Sequence, residues 1–389
     1  MRTLVASAWF DGERYHGTPV SIAVDGECIA AVTEGEHGID GPTTHCAFAM
    51  PGLVDAHCHL FLDGGELDFE ARSRYQEAPL GQMMEVGRDN VARALARGIT
   101  LVRDAGDRYG VNHGIRGASN VLDVRSAGVA LRRPGRYGSF MAREVASDDE
   151  IRAAVRELAG ASDDLKIIQT GIIDFESGTV KGKPQFDVDS LRLIVRCARE
   201  HELPTFAHCS GAEGIAVAVE AGIDSIEHGF FMTDALLRRM ADQGTAWVPT
   251  FSPVYFQWRR PQAAGWGPET VAKLRGILDA HCEQVARAAQ LGVNLVAGSD
   301  AGSPGVEHGA GLIDELHRLL ECGLSMEQTL RAATSLPRRL WRAEPADVRV
   351  GVRANLSLFG ADPFRDPLNL SQASEVVRGA GGARARMDS

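Results

Sequence analysis

The feature that most constrains the fold is a repeated alternation of short apolar segments with longer amphipathic segments from residue 51 onward. Eight of the apolar segments have the length and composition of buried strands: GLVDAH, GITLVRDAG, AGVALRR, LKIIQTG, LPTFAHC, IDSIEHG, TAWVPTF and VNLVAGSD. Segments between them show the 3.6-residue period of helices, and the one at 147–160 opens with a capping box of Ser147 and Glu150. Eight strand–helix units predict a (β/α)8 barrel of the TIM type, in the α/β class.

The two ends of the chain follow a different pattern. Residues 1–50 and the tail from 350 onward contain short strand-like segments and turns without a long helical pattern. We therefore predict two domains, a barrel at 51–349 and a small composite β-sandwich domain made from residues 1–50 and 350–389.

The composition excludes some classes of partner. Apolar residues make up 44% and charged residues 24% of the 389 residues, as in ordinary soluble globular proteins. The net charge of −11 argues against nucleic acid or an anionic membrane surface as a partner. No apolar stretch is long enough to span a membrane, and the N-terminal stretch is too short for a secretory signal. The seven cysteines are scattered and form no CxxC pair, which predicts reduced thiols and a cytoplasmic location.

Side chains that can bind metal ions end five of the eight predicted strands. They are His57 and His59 of the first strand, Lys166 of the fourth, His208 of the fifth, His228 of the sixth and Asp300 of the eighth. Each alone has a structural interpretation, such as a hydrogen-bonded core histidine or a helix N-cap aspartate. Active sites of TIM barrels lie at the C-terminal ends of the strands, so together these residues predict one shared site.

Lys166 carries the most information in this series. Strand alternation places it on one face with Ile168 and Thr170, and lysine is rarely buried without a partner. Burial favours the neutral amine, which can react with carbon dioxide to give a carbamate, a carboxylate on a long arm. The alternative is a lysine at the strand edge whose ammonium group extends to solvent.

The series DAHCHL, LKIIQTG, FAHCS, IEHG and GSDAG resembles the metal-ligand motif of the amidohydrolase superfamily. The segment at 185–231, the EHG at 307–309 and TLRAATSLPRRLW resemble more narrowly its imidazolonepropionase-like branch, which includes zinc-dependent prolidases (Xaa-Pro dipeptidases), arginine carboxypeptidases and ochratoxinase-type amidases. The chain departs from that branch with QTG in place of SGG, with GRYGSFMAREV in place of a GGH loop, and with Asn355 in place of aspartate. The two loop departures lie where a substrate would bind.

The resemblance implies a binuclear centre of divalent ions, with zinc the expected metal. It assigns the first ion to His57, His59 and Asp300 and the second to His208 and His228. Carboxylated Lys166 and a hydroxide would bridge the two ions. Asp300 would move protons between the attacking hydroxide and the leaving amine, and His228 would orient the carbonyl, which makes these two the catalytic residues.

The expected reaction is hydrolysis of a carbon–nitrogen amide or peptide-like bond in a small-molecule substrate. In the segment TFSPVYFQWRR, Tyr255 and Arg259 are candidates for binding a substrate carboxylate, because relatives use tyrosine and arginine in this region. The competing interpretation is an aromatic surface loop. His113 and His308 are further candidate substrate-binding residues.

Two other functions stay open from the sequence. One is a mononuclear metal-dependent deaminase of a cyclic or guanidine-type compound, but such enzymes lack the bridging lysine, so Lys166 argues against it. The other is a non-catalytic barrel with a structural metal site that serves as a subunit of an assembly. The sequence leaves the oligomeric state open, a homo-oligomer included.

Overall fold

The computed structural model describes residues 1–37 and 41–379, so residues 380–389 of the predicted tail lie outside the described residues. The strands, in chain order, are β1 (Arg2–Phe10), β2 (Tyr15–His16), β3 (Val20–Asp25), β4 (Cys28–Glu34), β5 (Thr43–Pro51), β6 (Leu53–Cys58), β7 (Ile99–Asp104), β8 (Asp123–Ser126), β9 (Ala130–Arg132), β10 (Ala142–Glu144), β11 (Leu165–Ile168), β12 (Ile173–Asp174), β13 (Thr179–Val180), β14 (Thr205–Cys209), β15 (Ser225–His228), β16 (Ala246–Val248), β17 (Asn294–Leu295), β18 (Asn355–Phe359) and β19 (Ala373–Arg378).

The helices, in chain order, are α1 (Phe69–Tyr75), α2 (Leu80–Leu95), α3 (Val111–Ala118), α4 (Asp148–Ala159), α5 (Val188–Glu200), α6 (Ala212–Ala221), α7 (Asp234–Gln243), α8 (Ser252–Arg259), α9 (Pro261–Ala264), α10 (Pro268–Leu291), α11 (Ala310–Glu321), α12 (Met326–Ala332) and α13 (Ser335–Leu340), and a 3-10 helix spans Pro367–Ser371. Within 1–37 and 41–379, none of these helices combines the length and the apolar composition that crossing a membrane requires.

Each of the eight apolar segments predicted as inner strands contains a strand of the structure. Together with β8 and β10, these strands form a three-stranded sheet, β6-β7-β8, and a seven-stranded sheet, β10-β9-β11-β14-β15-β16-β17, and their pairings are parallel. Backbone hydrogen bonds from Ala56 N to Ala297 O and from Asp300 N to His57 O connect β6 with the segment after β17. The arrangement is a TIM-barrel-like α/β fold, and one large apolar core includes residues of both the strands and the helices.

The third strand differs from the sequence prediction because it is divided. β8 pairs with β7, whereas β9 pairs with β11, and Gly128 lies between them with φ +67°. The carbonyl of Gly128 accepts hydrogen bonds from Asp107 N and from Asn112 Nδ2. A left-handed residue bends the chain at this point, and glycine adopts that conformation without a steric penalty.

The helix signals read from the sequence are confirmed at two positions. Ser147 and Glu150 form both hydrogen bonds of the capping box at the start of α4. Gly222 ends α6 in the left-handed conformation that is typical of a glycine C-cap. Local sequence chemistry therefore fixes these helix boundaries.

The two ends of the chain meet in one mixed sheet. β18 pairs antiparallel with β5, which pairs parallel with β1, and β19 forms the edge next to β18. Leu4, Ile22 and Leu356 belong to a small apolar cluster of this sheet, apart from the main core. The pairing of the two ends agrees with the predicted composite unit, while the two-sheet sandwich and the domain boundaries stay predictions.

The expectation that all cysteines are reduced is wrong for one pair. A disulfide joins Cys282 of α10 to Cys322, the residue that follows α11, and their Cα atoms are 5.1 Å apart. The other five cysteines are free. The two partners are 40 residues apart in sequence, and only the packing of α10 against α11 brings them together, so no spacing motif could reveal the pair.

Candidate metal centre

Two histidines and an aspartate converge where β6 and the segment after β17 end. The Nε2 atoms of His57 and His59 each lie 3.6 Å from Oδ1 of Asp300. One ligand atom from each of the three residues lies within 4.8 Å of the others. The spacing is too long for hydrogen bonds but suits three ligands of one ion, so this part of the predicted site is assembled.

The outward-facing ring nitrogens of these histidines are held by other groups. His57 Nδ1 lies 2.5 Å from Oε2 of Glu227, and His59 Nδ1 lies 3.3 Å from the carbonyl oxygen of Gly106. A partner on Nδ1 fixes the tautomer that leaves Nε2 as the free ligand atom. Both rings are therefore oriented for binding a metal through Nε2.

The remaining three predicted ligands lie beside this group. Lys166 Nζ is 3.4 Å from Nε2 of His57, and the ring centroids of His208 and His228 are 4.5 Å apart. The His57 and His228 rings are 5.0 Å apart, and His228 Nδ1 lies 2.7 Å from Oγ1 of Thr250. The fold thus brings all six predicted ligands to one place.

The protonation states of these residues follow from burial. Desolvation lowers the pKa of His59 and of His208 to about 3, which keeps both imidazoles neutral. Burial also lowers the pKa of Lys166 and raises the pKa of Asp300. Neutral imidazoles and a neutral lysine amine are the forms that metal binding and carbamate formation require.

The backbone is constrained at three positions of the site. His228, Thr250 and Asp300 are not glycines, yet their φ angles are +65°, +47° and +55°. Such conformations cost on the order of 1–3 kcal/mol each and persist where the surrounding structure enforces them. They turn the chain sharply as it leaves the inner strands, where the ligand side chains lie.

Sequence reasoning missed the residues that support the ligands. Glu227 is fully buried, and its Oε1 accepts hydrogen bonds from Arg103 Nη2 at 2.8 Å and from Ser225 Oγ at 2.6 Å. Asp55 accepts from Ser299 N and Oγ, which ties β6 to the segment that carries Asp300. A signal for Glu227 was present, because an acid within the wholly buried segment SIEH needs a charged or polar partner.

A cavity of about 410 Å³ opens onto the six predicted ligand side chains, and we call it the site cavity. The lining residues come mainly from the segments that follow β6, β9, β11, β15, β16 and β17, helices α1 and α8 included. The ligands thus form one end of a cavity of the size that binds small molecules.

The four predicted substrate-binding residues do not line the site cavity. Tyr255 packs under the guanidinium of Arg318, and Arg259 is exposed near the ring of Trp258. His113 Nδ1 lies 2.7 Å from Ser126 Oγ, beneath the loop after β8. His308 is buried near His59, and neither of its ring nitrogens has a hydrogen-bond partner among the described residues. Substrate-binding roles for these four stay predictions.

Comparison with known proteins places this arrangement in a family. Residues 48–380 match the model of the amidohydrolase family, so the chain belongs to that family and the predicted resemblance is confirmed. The chain is a hydrolase of the class that acts on carbon–nitrogen bonds, as the sequence predicted.

Three individual similarities describe its relatives. An uncharacterized protein of Mycobacterium tuberculosis is 32% identical over 329 residues, which cover 84% of this chain and 83% of that protein. Ochratoxinase of Aspergillus niger is 25% identical over 351 residues, covering 82% of this chain and 71% of the relative. The crystal structure of a Xaa-Pro dipeptidase with bound methionine superposes with a TM-score of 0.82 at 23% identity, over 97% of this chain and 98% of that chain, which shows a shared fold.

Proposed function

We propose that the protein hydrolyses an amide or peptide-like bond of a small molecule with the help of two divalent metal ions, zinc being the expected metal. The convergence of His57, His59 and Asp300, with ligand atoms within 4.8 Å of one another, carries this proposal. Family membership supports the reaction class, and the site cavity supports a small substrate.

The residues present fit a binuclear centre. His57, His59 and Asp300 would hold one ion, and His208 and His228 would hold the other. Lys166 lies 3.4 Å from a ligand atom of the first group, and its lowered pKa favours the amine that reacts with carbon dioxide. A carboxylated Lys166 would supply a further carboxylate ligand to the centre.

The chain's own side chains supply the proton transfers. Divalent ions, when bound, lower the pKa of a water molecule and polarise the substrate carbonyl. The Asp300 carboxylate would accept a proton from the water that attacks the carbonyl carbon and would donate it to the amine nitrogen as the carbon–nitrogen bond breaks. Thr250 holds Nδ1 of His228, so that ring is fixed beside the carbonyl it would orient.

The main alternative function is the mononuclear deaminase, and Lys166 distinguishes the proposed binuclear hydrolase from it. Lys166 lies fully buried among the histidines, which a mononuclear site would not need. A non-catalytic barrel would not require the strained ligand positions at His228 and Asp300.

The test measures metal content and product together. Protein reconstituted with zinc and bicarbonate should bind about two ions per chain and should release an acid and an amine from N-acyl amino acids, dipeptides or simple amides. His59→Asn should lose metal and activity, whereas His201→Asn, at an exposed histidine, should keep both. Ammonia release from cyclic or guanidine compounds, with a single ion and no amide cleavage, would establish the deaminase instead.

Some expectations from the sequence remain part of the proposal. We propose that the two parallel sheets close into one (β/α)8 barrel at 51–349 and that the terminal segments form a β-sandwich domain. The cytoplasmic location expected from the sequence stays a prediction. Assembly into a homo-oligomer stays an open alternative to a monomer.

A further inference from the structure

Apart from the six metal-binding side chains, the lining of the site cavity is mostly apolar. Its apolar members come from separate segments of the chain and include Leu62, Phe69, Phe140, Ile172, Phe175 and Val254. A ligand that fills this cavity would lose contact with water and would contact aromatic and aliphatic side chains on several sides.

The lining offers little to a substrate carboxylate. Among the described residues that line the site cavity, the cations besides the histidines are Arg72 and Lys166. The guanidinium of Arg72 donates to Asp63 O at 2.6 Å, to Gly302 O at 2.6 Å and to Glu66 O at 3.1 Å. These three hydrogen bonds of Arg72 stabilise the segment after β6. Arg259, the arginine predicted to bind a substrate carboxylate, does not line the cavity.

Two apolar side chains are exposed at the rim. Phe69, the first residue of α1, is 82% exposed, and Ile172, in the loop after β11, is 42% exposed. Both belong to the lining of the site cavity although they come from different segments of the chain. Large apolar groups at such exposure lose contact with water only when something covers them, and a bound apolar substituent would do so.

We propose that the substrate is a neutral amide with apolar groups, bound by its apolar surface and not by a carboxylate. This inference rests on the proposed hydrolase function and narrows its substrate class. A carboxylate placed among these side chains would lose its hydration, and the Arg72 guanidinium is already bonded to three carbonyl oxygens, whereas an alkyl or aromatic group would gain from burial.

The test uses two isosteric compounds that differ at one group. N-octanoyl-L-phenylalaninamide and N-octanoyl-L-phenylalanine share the scissile amide and the acyl chain, and octanoate release reports cleavage of both. With zinc-loaded protein, kcat/KM should be at least about tenfold higher for the carboxamide. Shortening the acyl chain from octanoyl to butanoyl and acetyl should lower kcat/KM by up to about fourfold per methylene removed.

A pair of surface variants tests whether the rim of the site cavity contributes to binding of the apolar substrate. Phe69→Ser should raise KM for the octanoyl carboxamide by about fivefold, because it removes an apolar contact at the rim. Leu368→Ser alters a leucine of similar exposure, 65%, in the 3-10 helix outside the cavity lining, and should leave KM unchanged.

Cleavage of the free acid as fast as the carboxamide, or faster, would overturn the inference. If neither compound is cleaved, calorimetric titration of the same pair into zinc-loaded protein decides. Tighter binding of the carboxamide would retain the substrate class, and the metal and product assay described above would then decide the hydrolase proposal separately. Equal binding of the two compounds, or binding of neither, would overturn the substrate class itself.

Discussion

The Nδ1 atom of His57 lies 2.5 Å from Oε2 of Glu227, and both side chains are fully buried. The second carboxylate oxygen of Glu227 accepts from Arg103, whose guanidinium also lies 4.1 Å from the ring centroid of Phe206. A carboxylate behind a metal-binding histidine fixes its orientation and increases its basicity. His57, on β6 of the three-stranded sheet, thus depends on a charge supplied by β15 of the seven-stranded sheet.

Glu227→Gln should weaken metal binding without removing a ligand. The amide keeps the shape of the side chain but loses the negative charge, and the loss of a carboxylate that supports a metal-binding histidine costs about 10–100-fold in metal affinity. Competition with a chelator measures the affinity directly. Glu315→Gln is the matched control, since Glu315 is equally buried and accepts from Phe251 N and Ser252 N instead of from a ligand. Equal affinities of the two variants would show that Glu227 only maintains the fold.

Lys166→Ala should lose activity and at least one of the two ions, because a bridging group is removed. Lys166→Arg should be no better, since a guanidinium stays charged and cannot be carboxylated. Acetate or propionate should restore part of the activity of the alanine variant by occupying the vacated position. Metal analysis with and without the added acid checks this, and Lys273→Ala, at a partly exposed lysine of α10, is the control. A fully active Lys166→Ala protein with two ions would contradict the carbamate bridge.

The sequence predicted the inner strands, and it predicted that the six candidate ligands lie together, because both follow local rules. Strand alternation places His57 and His59 on one face, and the parallel order of strands brings their ends together. The supporting residues depend on contacts between distant segments, as Glu227 does with His57 and Arg103. Resemblance predicts Tyr255 and Arg259 as substrate-binding residues, yet their segment forms α8, and the residues of α8 that line the cavity are Pro253, Val254 and Gln257. Which face of α8 meets the cavity follows from tertiary packing, which strand periodicity does not describe.

Asp300→Asn should lower kcat by about 10²–10⁴-fold, the range for loss of a positioned proton-transfer group. Asp300 Oδ2 accepts from Ser303 Oγ at 3.1 Å, so the asparagine can keep its place in the loop. Because Asp300 is also a proposed ligand, metal content must be measured in the same sample. A variant that keeps two ions but loses kcat separates proton transfer from metal binding. Unchanged kcat with two ions would contradict the role of Asp300 in proton transfer.

The last prediction concerns His281, a buried residue of α10 outside the metal site. Its ring stacks on Phe230 with centroids 3.8 Å apart, and its Nε2 lies 3.0 Å from the carbonyl oxygen of Pro249. Nδ1 has no partner among the described residues. Burial lowers the pKa of His281 to about 3, below the ordinary value of 6.5.

The sign of the pH dependence follows from these two values. Between pH 6.5 and about pH 3 the unfolded chain binds a proton at His281 that the folded chain excludes, so the free energy of unfolding falls as the pH falls. From about pH 7.5 to about pH 5 the loss should be about 2 kcal/mol for this one group. His281→Gln should remove that loss while the metal-site histidines still titrate in both proteins. Urea unfolding of both proteins at the two pH values measures the difference, and His201→Gln, at an exposed histidine, should not change it. Parallel pH dependences for wild type and His281→Gln would show that His281 is protonated in the folded protein.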